Sequence, residues 1–269
     1  MKKTIAIILA LVMIVGCLAG CGSKKDEKTI KIGASPTPHA EILAVVKDVL
    51  AEQGYTLEIV EYNDYVLPNT AVEDGSLDAN YFQHKPYLDD FNANNGTNIV
   101  SVGAIHYEPF GIYSNSITSL DQLPDGAKIA IPNDGSNEAR ALFVLQQEGL
   151  ITLKEGTSVS SATILDIESN PRNFEFFEME AAQLVLALPD VDIAVINGNY
   201  AIGGGLKVAD TLALEDASGN AAQTYANIIA VKAGNEGSEK IVALVNALMS
   251  DEVAAFMEAT YGGAVVPIF

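Results

Sequence analysis

The sequence predicts a mixed α/β protein made of two lobes that hold a ligand in the cleft between them. Segments with the alternation of strands are followed repeatedly by segments with the spacing of helices. The composition is even, with no internal repeat and no linker rich in Ser, Pro or Gly, and a chain of 269 residues is too long for one small sheet. A (β/α)8 barrel shows the same alternation, but eight complete βα units cannot be counted, which favours two lobes.

The chain begins with a segment typical of a secretion signal. Lys2 and Lys3 precede an apolar run that extends to Ala19. A helix that spans a membrane needs about 20 apolar residues, and this run is shorter. We therefore predict that residues 1–20 direct export of the chain and are then removed.

The end of this signal predicts a lipid anchor. The residues Leu18-Ala19-Gly20-Cys21 resemble the lipobox of bacterial lipoproteins, which implies cleavage before Cys21 and lipidation of its sulfur. The alternative is an ordinary signal peptide with an incidental cysteine. Because Cys17 is removed with the signal, no intramolecular disulfide is predicted. Residues 21–28 are small and charged, and we predict that they form a flexible tether.

The first lobe is predicted from the N-terminal part of the mature chain. Residues 29–34 and 56–62 alternate as strands, and residues 39–53 place apolar side chains at helical spacing before Gly54. The next predicted elements are a helix at 69–74 closed by Gly75, a strand at 77–82, a helix at 85–93 and a strand at 99–105.

The second lobe follows the same alternation. Its predicted elements are strands at 128–131, 174–179 and 192–197, a helix that ends near Gln147 before Gly149, and a helix at 181–188. Ser136 or Asn137 is the predicted N-cap of the first of these helices. A strand at 225–231 and helices at 240–249 and 251–260 complete the chain. This order predicts parallel sheets covered by helices on both faces, with lobe 1 at 29–112 and 228–269 and lobe 2 at 113–227.

The charge of the chain excludes several kinds of partner. Lys and Arg number 15 against 35 Asp and Glu, which gives a net charge of −20. An acidic protein repels the phosphate backbone of nucleic acids and lacks the basic surface that binds acidic lipids. Only two arginines are present, Arg140 and Arg172. Arginine is the side chain best suited to bind a carboxylate, so each is a candidate ligand contact.

The chain carries no recognisable catalytic or cofactor motif. It has no Gly-x-Ser-x-Gly elbow, no Walker loop and no Gly-x-Gly-x-x-Gly. His39, His84 and His106 do not have the spacing of metal ligands, and no nucleophile is paired with a base. We therefore predict no catalytic residue, no metal site and no cofactor, and a protein that is not an enzyme.

An aromatic segment is the strongest candidate for ligand recognition. Phe82 and His84 point to the same side of a predicted strand end, and Tyr87 follows in the first turn of the next helix. Together with Tyr65, these side chains form a predicted aromatic pocket wall. The alternative is that Tyr65 and Phe82 belong to the core and that His84 caps the helix.

These segments are similar to those of a known family. The blocks, in chain order, are DYVLPN (64–69), DANYFQHKPYL (78–88), EPFGIYS (108–114), IPND (131–134), NPRN (170–173), AVINGNYA (194–201) and YANIIAV (225–231). They resemble the NlpA family of methionine-binding lipoproteins, MetQ type, along nearly the whole mature chain. The resemblance implies a two-lobed fold of the periplasmic-binding-protein type (type II), anchored by lipid on the extracytoplasmic face of the cell membrane. It also implies that the chain captures L-methionine and delivers it to the permease and ATPase of an ABC transporter.

The resemblance assigns ligand contacts to particular residues. Family contact positions in the first lobe correspond to Tyr65, Phe82, His84 and Tyr87, and those of the second lobe and the hinge to Arg140, Asn197 and Asn227. An arginine on a helix near its N-terminus suits a carboxylate, amides suit ammonium or carboxylate groups, and aromatic rings suit a thioether. Arg172 lies in a turn, and we predict a structural role for it.

Some positions differ from the family pattern. Gly135 and Ser136 replace a usual Pro-Thr or Ala-Thr before the arginine, Val185 and Leu186 replace Pro-Arg, and Gln223-Thr224 replaces a common Ser-Pro. The alternatives that remain are the same fold with D-methionine, a methionine-containing dipeptide or another amino acid as ligand. A surface lipoprotein that acts as an adhesin is a further alternative from a different class.

Overall fold

The computed structural model describes residues 27–216 and 221–269. The predicted signal at 1–20, the lipobox with Cys21 and most of the predicted tether lie outside the described residues. Within the described residues, no helix has both the length and the apolar character needed to cross a bilayer.

Two sheets organise the described chain, one in each lobe. The first has six strands in the order β13-β4-β12-β3-β1-β2: β1 (Thr29–Ala34), β2 (Thr56–Glu61), β3 (Ala79–His84), β4 (Ile99–Tyr107), β12 (Asn227–Lys232) and β13 (Val266–Pro267). The second has five strands in the order β11-β5-β10-β6-β9: β5 (Gly111–Tyr113), β6 (Lys128–Pro132), β9 (Glu175–Met179), β10 (Ile193–Ile196) and β11 (Ala213–Leu214). The short pair β7 (Thr152–Leu153) and β8 (Ile167–Ser169) stands apart.

Helices cover both sheets. In chain order, the α-helices are α1 (Glu41–Val45), α2 (Lys47–Glu52), α3 (Leu67–Glu73), α4 (Lys85–Asn95), α5 (Gly135–Gln147), α6 (Leu184–Ala187), α7 (Gly198–Gly203), α8 (Ala221–Thr224), α9 (Glu239–Leu248) and α10 (Asp251–Tyr261). A π-type turn at Pro36–Ala40 precedes α1. Short 3₁₀ turns lie at Leu120–Gln122, Ile164–Asp166, Ala181–Gln183 and Val208–Asp210.

The sheets are mixed, and the prediction of parallel sheets is therefore only partly correct. β1 pairs in parallel with β2 and β3, and β6 pairs in parallel with β9 and β10. β12 is antiparallel to both β3 and β4, and β5 is antiparallel to β10. The chain enters β12 on returning from the second lobe, preceded only by the four-residue helix α8 and not by a crossover helix packed on the first sheet.

Two details of the predicted helices are wrong: one helix is divided, and another has a different N-cap residue. The predicted helix at 39–53 is divided at Val46, whose φ of −93° and ψ of 3° interrupt the α-helical geometry. Val45 and Val46 are both β-branched, which weakens helix propensity at this point. The N-cap of α5 is Asp134, not Ser136 or Asn137, because the Asp134 side chain accepts the Asn137 N–H.

Each lobe has its own hydrophobic core. Ile32, Tyr81 and Leu244 are members of the core of the first lobe, and Ile129, Leu142 and Val195 of the core of the second. The chain passes between the sheets after β4 and again before β12. The strands thus divide between two lobes in the chain order that the sequence predicts, although the lobe boundaries proposed above stay a prediction.

Candidate functional site

A small cavity lies where the two lobes meet. Of the described residues, those that line it are Tyr65, Phe82, Gln83, His84, Tyr87, Glu108, Asn137, Arg140, Asn197, Gly198, Asn199 and Asn227. The first lobe supplies its aromatic side, and α5 and the start of α7 supply part of its polar side.

Three aromatic rings form one side of the cavity. The Tyr65 ring centroid lies 5.6 Å from that of Phe82 and 5.6 Å from that of Tyr87. The Tyr87 hydroxyl donates to the Tyr65 carbonyl over 3.1 Å, which fixes the two rings relative to each other. Phe82 and Tyr87 are buried in a core cluster, so they both pack the lobe and line the cavity. The two interpretations drawn from the sequence, a pocket wall and a part of the core, are therefore compatible.

His84 is the last residue of β3 and directly precedes α4. Its Nδ1 accepts the Tyr87 N–H over 3.2 Å, so the imidazole is the N-cap of this helix. Since Nδ1 accepts, Nε2 carries the proton and donates to Asn137 Oδ1 at 3.1 Å. Burial, with a smaller contribution from the charge of Arg140, lowers the pKa of His84 to about 3. The ring is therefore neutral at pH 7 and holds one fixed tautomer.

Asn197 presents an unpaired acceptor at the cavity. Its Nδ2 donates to Asn137 Oδ1 over 2.9 Å, which orients the amide. Its Oδ1 is buried and has no hydrogen-bond partner among the residues that the structure describes. A buried acceptor without a donor is costly, and a ligand N–H would relieve that cost.

Arg140 is buried and already paired on one edge. Its Nε donates to Glu215 Oε1 at 2.8 Å, and its Nη2 donates to Glu215 Oε2 at 2.5 Å and to the Glu108 carbonyl at 2.8 Å. The Tyr225 ring stacks on the guanidinium, with its centroid 4.3 Å from Cζ. Among residues 27–216 and 221–269, no hydrogen bond uses Nη1. A two-pronged grip on a ligand carboxylate through the Nε edge is therefore not available, and Nη1 is the group left for a ligand.

Glu215 is the partner that sequence reasoning missed. Burial is the largest single effect and would raise the pKa of this carboxyl, but the Arg140 charge and the hydrogen bonds from Arg140, Tyr107 and the Phe110 N–H together hold the pKa below its usual value. The Tyr107 hydroxyl also donates to Glu215 Oε2, over 2.5 Å. The charges of Arg140 and Glu215 therefore cancel, and the ion pair fixes the position of the arginine side chain beside the cavity.

The N-terminus of α5 is occupied by its own cap. The sequence suggests that this helix end near Asn137 attracts an anion, but the Asp134 carboxylate accepts the Asn137 N–H at 3.0 Å and Asn137 Nδ2 at 2.8 Å. The helix dipole is therefore already compensated by a side chain. Asn137 contributes to the site through its Oδ1, which His84 and Asn197 share.

Asn227 lies between two strands of the first sheet. The register of β12 places it opposite His84 on β3 and His106 on β4. Its Oδ1 accepts from His39 Nε2 over 2.9 Å. The hydrogen bond from His39, which lies in the turn after β1, thus orients the Asn227 amide.

A cluster of titratable side chains adjoins Asn227. His106 Nε2 lies 2.7 Å from Glu108 Oε1, His39 Nε2 lies 3.5 Å from the same oxygen, and His106 Nδ1 bonds the Tyr81 hydroxyl. Candidate ligand atoms of His39, His106 and Glu108 all lie within 4.8 Å of one another, a donor set that metal ions accept. The sequence spacing does not reveal this cluster, because His39 lies in the turn after β1, far along the chain from His106 and Glu108. In this structure, both ring nitrogens of His106 are engaged in hydrogen bonds.

Direct contacts join the lobes across the cavity. The Tyr65 hydroxyl donates to Asn199 Oδ1 over 2.5 Å, and the Tyr200 hydroxyl donates to the Asn63 carbonyl over 3.2 Å. The bond from His84 to Asn137 also crosses the cleft. These contacts describe a closed arrangement of the lobes.

Comparison with known proteins identifies the family. The family model described as NlpA lipoprotein matches residues 30–269. The chain belongs to the NlpA lipoprotein family. The methionine-binding lipoprotein MetQ of Bacillus subtilis is 42% identical over 276 residues, which cover 100% of this chain and 99% of that protein.

Solved structures of NlpA relatives have the same architecture. A lipoprotein from Ruminococcus gnavus is 55% identical and superposes with a TM-score of 0.88, covering 90% of this chain and 100% of that one. A nutrient binding protein from Burkholderia cenocepacia, solved bound to methionine, is 44% identical with a TM-score of 0.85, covering 89% of this chain and 100% of that one. The two-lobed fold of binding proteins that the sequence predicts is thereby confirmed.

The seven ligand contacts expected from the NlpA resemblance all line one cavity. The structure brings together Tyr65, Phe82, His84, Tyr87, Arg140, Asn197 and Asn227. Their contact with a ligand stays a prediction. Arg172 lies elsewhere, where its Nε donates to Asp125 Oδ1 at 3.1 Å.

Five lining residues are absent from the predicted set. They are Gln83, Glu108, Asn137, Gly198 and Asn199. Each lies within, or within four residues of, a block that resembles the family, so proximity to those blocks was the available signal. Single-sequence reasoning had no means to decide which polar neighbours point into the cavity.

Proposed function

We propose that this chain is the substrate-binding lipoprotein of an ABC importer, that it captures L-methionine, and that it delivers the amino acid to a membrane permease with its ATPase. The observation that carries the proposal is the lining of one closed cavity. One side is an aromatic wall, and the other is a polar end that offers Arg140 Nη1 and Asn197 Oδ1, neither of which has a hydrogen-bond partner among the described residues. The names of the relatives described above support methionine as the ligand.

The proposed ligand fits the chemistry of the lining. The carboxylate of an amino acid meets Arg140 through Nη1, and its ammonium meets Asn197 Oδ1. The thioether packs on the rings of Tyr65, Phe82 and Tyr87, where a sulfur–aromatic contact is worth about 0.3–1.5 kcal/mol. His84 is neutral and donates to Asn137, so it shapes the cavity without adding a charge.

The remaining parts of the proposal concern location and class. We place the protein on the extracytoplasmic face of the cell membrane, held by lipid on Cys21. It is a binding protein and not an enzyme, which agrees with the names of its relatives. No feature of the described residues favours the adhesin alternative over ligand capture.

Native mass spectrometry of the full chain, purified in detergent, tests the ligand. We expect a retained mass equal to that of methionine, and calorimetry on stripped protein should give L-methionine the lowest Kd. D-methionine and a methionine-containing dipeptide are the comparison ligands. A retained mass of another small molecule would reject methionine, and a protein that neither retains nor binds any of these ligands would reject the capture of methionine and its derivatives.

Cys21→Ser should release the protein from the membrane fraction. Lipid on this sulfur is the proposed anchor, and a hydroxyl in its place is not a substrate for that modification. Membrane fractionation and intact mass measurement follow the change, with Cys17→Ser as the matched control inside the signal. Acyl mass that persists in the Cys21→Ser protein would place the anchor elsewhere, and methionine affinity should not change.

A further inference from the structure

Glu108 is a buried carboxylate at the hinge for which the mechanism above has no role. It follows β4, directly before the chain crosses into the second lobe, and its side chain is 5% exposed. It lines the cavity, and so do its neighbours Gly198 and Asn199. Glu108 is therefore in reach of a ligand that occupies the cavity.

The protein supplies this carboxylate with donors but with no fixed cation. Oε1 faces His106 and, at a longer distance, His39, and the Asn199 backbone N–H also bonds the carboxyl. Within 27–216 and 221–269, no Lys or Arg nitrogen lies within 4.0 Å of it. Burial lowers the pKa of His39 to about 4 and that of His106 to about 3, so neither ring is a cation at pH 7.

Burial also acts on the carboxyl group itself. It raises the pKa of Glu108, because the charged form loses hydration and gains no full countercharge. The Arg140 charge is already balanced by Glu215. The empty cavity thus leaves one acidic group whose ionised form would be stabilised by a cation brought from outside.

The Glu108 carboxylate lies beside the residue that follows Asn197, and both side chains line the same cavity. A Cβ built on Gly198 would lie 2.6 Å from Glu108 Oε2, so this oxygen packs directly on the Gly198 backbone. Asn197, the preceding residue, presents its unpaired Oδ1 to the same cavity. A carboxylate has about four lone-pair sites, and the hydrogen bonds to His106 and Asn199 leave room for another donor.

We propose that Glu108 is a ligand-binding residue that accepts the α-ammonium of the bound amino acid together with Asn197 Oδ1, and that it selects amino acids over hydroxy acids and simple carboxylic acids of the same shape. The inference rests on the proposed function. It assigns the two charges of the ligand to opposite groups, the carboxylate to Arg140 and the ammonium to Glu108.

Calorimetry with two ligands tests this assignment. L-methionine is compared with 2-hydroxy-4-(methylthio)butanoate, which replaces the ammonium by a hydroxyl, on the wild type and on Glu108→Gln. The variant should lower methionine affinity by about 30-fold or more, because a charged partner is removed from a buried pair. Affinity for the hydroxy acid should fall by less, about tenfold at most, since its hydroxyl loses a charge-assisted hydrogen bond but no countercharge.

Glu138→Gln is the matched control. Glu138 is also a buried carboxylate, on the same helix as Arg140, but it does not line the cavity, and its Oε1 accepts the Ile164 N–H. We expect this variant to leave the ratio of the two affinities unchanged. Circular dichroism confirms folding of each variant, and Glu108→Asp, which keeps the charge but shortens its reach, replaces Glu108→Gln if the latter does not fold and should lower methionine affinity selectively.

The outcomes separate the two proposals. An equal loss of both ligands in the Glu108 variant, or no loss of either, would overturn the role of Glu108 while leaving methionine capture intact. Equal affinity of the wild type for both ligands would do the same without any variant. A wild type that does not bind methionine would reject the proposed function, and the role of Glu108 with it.

Discussion

Arg140→Ala should bind methionine about 30-fold to several thousand-fold more weakly than the wild type. The change removes Nη1, the proposed donor to the ligand carboxylate, and a buried charge left without its partner costs on the order of 2–5 kcal/mol. Calorimetry with L-methionine measures the effect. Arg172→Ala is the control, because this arginine pairs with Asp125 outside the cavity and should bind normally.

The partner of Arg140 complicates this variant, and a second one resolves it. Glu215 is only 8% exposed in its side chain, so Arg140→Ala strands a buried carboxylate and destabilises the protein. Arg140→Ala with Glu215→Gln removes both charges and should regain thermal stability without regaining affinity. If the double variant instead recovered binding, Arg140 would act through the fold and not on the ligand.

Norleucine extends the same measurement to the aromatic wall. It keeps both charged groups of methionine but replaces the sulfur by a methylene group. Because Arg140 is proposed to act on the carboxylate, its removal should weaken both ligands equally. The difference between the two ligands in the wild type then measures the contact of sulfur with Tyr65, Phe82 and Tyr87.

Gly198→Ala should reduce methionine affinity by about 5-fold to 150-fold. A Cβ at this position would lie 2.6 Å from Glu108 Oε2 and 2.7 Å from Glu108 Cβ, so the first turn of α7 must move away from the hinge. Forcing an extra carbon into a packed site costs roughly 1–3 kcal/mol. The displaced turn carries Asn199 and follows Asn197, both of which line the cavity.

Gly203→Ala is the matched control for this variant. Gly203 ends the same helix, and its nearest neighbour, Thr37 Cγ2, would lie 3.4 Å from an added Cβ, an ordinary contact distance. Calorimetry should find this variant close to the wild type. Binding by Gly198→Ala within twofold of the wild type would show that the hinge accommodates the methyl group and that the close packing of Glu108 on Gly198 is not required.

Several features of the site were predictable because they are local. Tyr87 follows His84 by three residues across a strand-to-helix junction, so their proximity is determined by the geometry of one turn. The order of the main strands and helices was also predictable, since each spans enough residues to show its period. The family blocks added the polar residues of the second lobe.

Other features required the tertiary structure because their partners are distant in the chain. Glu215 meets Arg140 across 75 residues, and His39 meets Asn227 across 188. A chain with 35 acidic residues gives no local sign of which one pairs with a given arginine. β11 and β13 have two residues each, too few to show alternation, and exist only because longer strands offer them hydrogen bonds.

The sequence by itself determined the predicted export signal, the alternation of strands and helices, and the aromatic residues that line one side of the cavity. These properties depend on neighbouring residues, whose spacing sets which side chains share a face. The tertiary structure decided the direction of β12, the pairing of Arg140 with Glu215, and the placement of Glu108 between His106 and Gly198. Such arrangements depend on how distant segments pack, because burial, and not local propensity, selects the partner of each buried charge.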